Sequence, residues 1–192
     1  MVLGRGPRGL ITTTAIGGPM SSVKENTKDF LRVYRELSEA GHHRKSDWTI
    51  KVDPDTVLLA DRLRHKLGSK DVVPTSNSLY YRNCAKYKSV QGPLEVFSQA
   101  AAIRFLESVD KCERDEEINQ KGEDWFFGHC MEAIGIKGVE DYDLLDDGYC
   151  TGHRPKEQCS EDRAAFHPFK TTEGYTLCLT DAKVKLNNAV LA

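Results

Sequence analysis

The chain has 192 residues, 39% of them hydrophobic, which suffices for one domain with a substantial core and does not demand two. Lys and Arg number 27 against 29 Asp and Glu, and the resulting formal charge of -2 gives no electrostatic ground for a nucleic acid or an anionic membrane as partner. No apolar run in the sequence approaches the roughly 20 residues that a membrane-crossing helix needs.

Residues 1–21 hold Gly4, Gly6, Gly9, Gly17, Gly18 and a Thr12-Thr13-Thr14 run, and read as a flexible leader without a signal-peptide core. A single domain is expected over 22–192. It opens with a capping box, Ser22-Val23-Lys24-Glu25. Phe30, Val33, Tyr34 and Leu37 follow at helical spacing, and Gly41 is the stop. His42-His43 sits beside Arg44 and Lys45 and reads as a solvated loop rather than a metal site.

Trp48 to Val52 then reads as a strand with Ile50 and Val52 on its buried face, and Pro54 forbids a central strand from continuing. Asp53 and Asp55 therefore stand at a strand end. Thr56 to Leu67 is expected to be helical, with Leu59, Leu63 and Leu67 on one face, Asp55 as N-cap and Gly68 as the stop. Two carboxylates on a turn between strand and helix suit a hard divalent cation, which takes oxygen ligands. The same tripeptide is also common turn and cap chemistry.

Asp71 to Pro74 and Ser78 to Tyr81 are expected as short strands, giving the rhythm of a sheet covered by helices. Ser98 is the expected N-cap of a helix carrying Ala102, Phe105, Leu106 and Val109 on one face. Asp110 to Lys121 reads as a charged, exposed connection. Phe127, Cys130, Met131 and Ile134 repeat the helical spacing with Gly135 as the stop, so Asp124 falls in a first turn. The six cysteines, at 84, 112, 130, 150, 159 and 178, include no Cys-x-x-Cys and point to disulfides in an oxidising compartment. The short Cys150 to Cys159 interval is the most obvious loop to close, among fifteen possible connectivities.

Four stretches occur in one order: Lys51-Val52-Asp53-Pro54-Asp55, Gly92-Pro93-Leu94-Glu95-Val96-Phe97-Ser98, Gly122 to Met131, and Ala165-Phe166-His167-Pro168-Phe169. Together they resemble the β1,3-glycosyltransferases of the Fringe and core-1 galactosyltransferase type. The resemblance implies a GT-A-like, Rossmann-like α/β fold, a mixed sheet flanked by helices. Family members carry several further strands ahead of the Asp-x-Asp element, so the sheet is expected to be incomplete on its N-terminal side.

The resemblance implies an inverting enzyme that moves a hexose from a nucleotide sugar, UDP-linked, to a hydroxyl of a glycan or glycoprotein acceptor. It places the catalytic base on Asp124 and metal contact on Asp55 and His167. Asp53 falls nearer the ribose or a metal-bound water. Gly92 belongs to a segment lining the sugar site, although that run is richer in glycine in the family. The implied cofactor is Mn²⁺ or Mg²⁺, and an imidazole ligand favours manganese. The family works in the Golgi on a membrane anchor, which this sequence does not display. The alternatives are a catalytically inactive fragment or a secreted module that binds a divalent cation or sugar without turnover.

Overall fold

A computed structural model describes residues 2–3, 12–13, 23–151, 159 and 162–190. Val2–Leu3 (β1) pairs antiparallel with Thr12–Thr13 (β2). The rest of the expected leader, and Ser22 of the expected capping box, lie outside the described residues.

Val23–Ala40 forms helix α1; of the predicted positions Tyr34 is fully buried and Phe30, Val33 and Leu37 are half-buried, while Leu31, not among them, is also buried. It stops where expected. Gly41 adopts a φ of 65°, and its N–H bonds back to the carbonyls of Leu37 and Ser38. A 3-10 turn, His42–Lys45, leads into strand β3, Trp48–Val52. His43 is buried rather than solvated, with Nδ1 held 3.2 Å from the Leu37 carbonyl.

A four-stranded mixed sheet runs β3-β6-β5-β7, with β5 at Leu79–Arg82, β6 at Leu94–Ser98 and β7 at Lys137–Glu140. β6 is antiparallel to both neighbours, and β5 and β7 are parallel. Every residue of β6 is buried, as a central strand requires, and β3 lies on the edge, as Pro54 predicts. Side chains alternate between faces. Tyr80 and Phe97 enter one core with α1, α3 (Gln99–Glu113) and α4 (Glu123–Ala133). Leu79, Tyr81, Leu94 and Val96 enter a second core with Leu63 and Leu67.

The first core is built on aromatic edges. Phe105 meets Tyr34 at 4.9 Å and Phe127 at 5.2 Å between centroids, both edge-on, a geometry that adds about 0.5–1.5 kcal/mol per pair beyond burial. Ser98 caps α3 as its sequence position predicts, its hydroxyl accepting from the Ala101 N–H at 3.2 Å. Gly135, at φ 73°, ends α4.

A second, three-stranded sheet is ordered β4-β9-β8, from Val57–Leu58, Ala165–His167 and Leu145–Asp147. The short helix Gly148–Thr151 (α5) follows β8, and Thr172–Val190 (α6) follows β9. The described architecture is thus α/β, with mixed sheets flanked by helices.

Several expectations are corrected. The helix expected from Thr56 begins at Ala60 (α2, Ala60–Gly68), because Val57 and Leu58 pair with Phe166 and Ala165 as β4, and Asp55 caps nothing. Asp71 to Pro74 forms no strand, and Val73 is exposed. Ile50 is exposed at the sheet edge, whereas the Lys51 side chain turns inward over the Phe30 ring. The connection after Asp110 is not wholly exposed: α3 continues through Glu113, and Cys112 and Ile118 are buried. Cys150 does not bond Cys159. The pairs are Cys84–Cys150, Cys112–Cys130 and Cys159–Cys178, because the sheet carries Cys84 to α5 and the helix pair carries Cys112 to α4.

Candidate active site

β3 delivers its terminal carboxylates to the seam between the two sheets. The turn after Asp53 is closed by the Thr56 N–H on the Asp53 carbonyl, and Asp55 lends its own carbonyl to the Phe169 N–H at 2.9 Å. That bond fastens the Asp-Pro-Asp turn beside the end of β9. His167, the last residue of β9, therefore faces Asp55, with Nε2 3.4 Å from Oδ2. Asp53, Asp55 and His167 each offer one ligand atom, all within 4.8 Å of one another and all half-buried.

The imidazole is oriented from behind. Its Nδ1 lies 2.5 Å from Oδ2 of the buried Asp147, and with Nδ1–H donating there, Nε2 is the ring nitrogen turned toward Asp55. A lone pair facing a carboxylate is repulsive unless a proton or a cation lies between them. Two carboxylate oxygens and one imidazole nitrogen form a donor set that Mn²⁺ accepts, and adjacent ligands of a six-coordinate ion stand about 3 Å apart. The residues present fit such an ion.

Both carboxylates also hold ammonium groups. Lys170 donates to Asp55, and Lys51 Nζ lies 2.8 Å from Asp53 Oδ1. Burial pushes the Asp55 carboxyl up, but the Lys170 hydrogen bond and nearby His167 outweigh it, and the group stays below its ordinary value.

Lys51 carries the site across to α4. Its Nζ donates to Glu123 Oε2 at 2.9 Å and to the Gly92 carbonyl at 2.7 Å. Burial alone would lower this lysine, but Glu95, Glu123 and Asp53 reverse the effect and hold it firmly charged. Behind Glu123 stands the Tyr34 hydroxyl, 2.7 Å from Glu123 Oε1 and 3.3 Å from Oε2 of Glu95. A single hydroxyl hydrogen serves the nearer carboxylate. Glu95 sits on the helix-facing side of β6, fully buried, with Oε1 unpartnered among the described residues. Burial, then the charge of Glu123, raises its carboxyl well above the usual range, while Lys51 opposes the shift.

Asp124 follows Glu123 in the first turn of α4. Its Oδ1 accepts from the Trp125 N–H at 2.8 Å, and Oδ2 has no hydrogen-bond partner among the described residues. A Cβ placed at Gly92 would lie 3.3 Å from Lys51 Nζ, 3.4 Å from Glu123 Oε2 and 3.6 Å from Asp124 Cβ. Gly92 thus lets the backbone close on this junction. Asp53 of the candidate ligand group is joined to the first turn of α4, which carries Asp124, through Lys51 and Glu123, and Gly92 packs against this junction.

No family model matches the chain.

Lys51, Glu95, Tyr34, Asp147 and Lys170 belong to this site, and none was legible as a site residue from sequence. Asp147 lies in an Asp146-Asp147 pair whose spacing signals nothing. Glu95 carries a usable signal in retrospect, a carboxylate inside the apolar run Leu94 to Phe97, where only a partnered or neutral acid is tolerated.

Proposed function

We propose that this chain is an inverting, divalent-cation-dependent glycosyltransferase of the Fringe and core-1 type, with a GT-A-like arrangement. It would transfer a hexose from a UDP-linked donor to a hydroxyl of a glycan or glycoprotein. The observation that carries this reading is the convergence of Asp53, Asp55 and His167 at the end of β3. Lys51 and Glu123 join Asp53 to the first turn of α4, which carries Asp124.

Asp53, Asp55 and His167 would hold Mn²⁺ or Mg²⁺, which supplies positive charge against the departing diphosphate. Asp124 Oδ2 accepts the acceptor hydroxyl's proton as that oxygen attacks the anomeric carbon. The displacement is direct, so configuration inverts and no glycosyl-enzyme forms. Glu123 and Lys51 hold the first turn of α4 against β3, which fixes Asp124 relative to the donor. The three disulfides are consistent with a secreted or lumenal protein. No helix of the described residues is long and apolar enough to cross a membrane. The Golgi lumen is the compartment this reading assigns.

A second reading, a relative that binds without turnover, is favoured by Lys51 and Lys170, which already neutralise both carboxylates. Release of UDP from a panel of UDP-sugars, with Mn²⁺ and with EDTA, separates the two. Asp55→Ala should weaken Mn²⁺-dependent UDP binding by at least about tenfold. Asp124→Asn should keep that binding and lose about 10² to 10⁴ in transfer. Transfer undiminished in Asp124→Asn removes it as the base, and UDP affinity unchanged in Asp55→Ala removes the ion-binding role.

A further inference from the structure

Tyr87 and Tyr149 stack on one another, with centroids 5.1 Å apart and planes 28° from parallel. They nonetheless remain 46% and 62% exposed. Lys86 Nζ lies 4.9 Å from one ring centroid and 5.3 Å from the other. Two tyrosyl hydroxyls and an ammonium thus rim a small apolar surface left in water.

This surface is built rather than incidental. The Cys84 N–H donates to the Ser89 carbonyl at 3.1 Å and closes the loop that carries Tyr87. Lys88 within it holds a φ of 50°, a left-handed conformation that a side chain adopts at a cost and that clusters at functional sites. The Cys84–Cys150 disulfide then fastens this loop to α5, and each cysteine is within three residues of one ring. The loop closure and the disulfide reduce the ordering that a ligand would have to impose.

Its position joins it to the site. The Tyr149 N–H donates to Asp147 Oδ1 at 2.6 Å, and the other oxygen of Asp147 holds His167. An apolar peptide anchor would need a closed pocket. A flat aromatic face with hydrogen-bonding groups at its rim matches a pyranose, which has an apolar C–H face and an equatorial ring of hydroxyls.

We propose that the Tyr87–Tyr149 pair is a saccharide subsite, on which a pyranose ring of the acceptor lies with its C–H face against the tyrosine and its hydroxyls toward Lys86. Its assignment to the acceptor rests on the glycosyltransferase reading; its affinity for sugar does not.

Saturation-transfer NMR and titration with the methyl glycosides of galactose, N-acetylgalactosamine, glucose and N-acetylglucosamine test this on the full chain. The parent should bind at least one glycoside with its C–H face most strongly saturated. Tyr149→Ser and Tyr87→Ser should each raise the dissociation constant about three- to tenfold. Tyr149→Phe, which keeps the ring, should retain most of the affinity, and Mn²⁺-dependent UDP binding should be equal in all. Absence of binding to every glycoside, or equal affinity in parent and serine variants, overturns the subsite. Self-association of the parent that the serine variants abolish overturns it too, since a second copy would then cover the rings. Glycoside binding without any UDP binding by the parent would leave the subsite standing and remove the transferase reading.

Discussion

Glu95 shows how one side chain sets a condition on the whole site. It is an acid on the helix-facing side of a central strand, beside Tyr34 and Glu123, where burial disfavours its charged form. Its folded-state pKa is raised, so the stability it contributes is fully present below its unfolded value of about 4.3 and is lost as pH rises through the folded value. Glu95→Gln keeps the shape without the titration. Urea midpoints of both proteins across this range should show the parent falling relative to the variant as pH rises, by up to about 1.4 kcal/mol per pH unit within the window. A difference independent of pH would mean that folding does not raise the Glu95 carboxyl.

At the scale of elements, legibility followed how each one is stabilised. α1, α3 and α4 were readable because each buries a single face, and the spacing of Tyr34, Phe105 or Phe127 within its own helix records that burial. β4 was not, because its two residues owe their state to hydrogen bonds from Phe166 and Ala165, far along the chain. The same limit hid the inward turn of Lys51, whose partner Glu95 comes from the neighbouring strand. Asp53 and Asp55 were suggested as cation ligands by their place on a turn and His167 by a resemblance, and only tertiary structure brings the three to one place. Between α3 and α4 the Cys112–Cys130 bond closes a separation of 18 residues, a loop whose chain entropy corresponds to about 3 kcal/mol. Replacing both cysteines by alanine should lower the unfolding free energy by about that amount in urea titration. No change would show that the two helices hold their register by packing alone.

For the molecule as a whole, the candidate ligands bridge the two sheets, since Asp53 and Asp55 follow the end of β3 and His167 ends β9. An ion bound only in the folded state should therefore stabilise both sheets together. At about 100 times its dissociation constant Mn²⁺ should add about 2.7 kcal/mol, a rise in Tm of about 5–10 °C for a chain of this size. Scanning calorimetry with Mn²⁺ and then EDTA measures it, and His167→Ala should abolish the rise. Equal shifts in parent and variant would place the ion elsewhere.

The pairing of the six cysteines has a grammar. Cys112–Cys130 lies wholly inside the span from Cys84 to Cys150, and Cys159–Cys178 follows after it, so the three bonds nest like parentheses and never interlace. A chain entering an oxidising lumen from its N-terminus can close each bond with the most recently emerged unpaired cysteine. Cys130 takes Cys112, Cys150 then finds Cys84 as the sole thiol remaining behind it, and Cys178 takes Cys159. Order of emergence leaves one non-native choice, Cys84 with Cys112, open until Cys130 arrives.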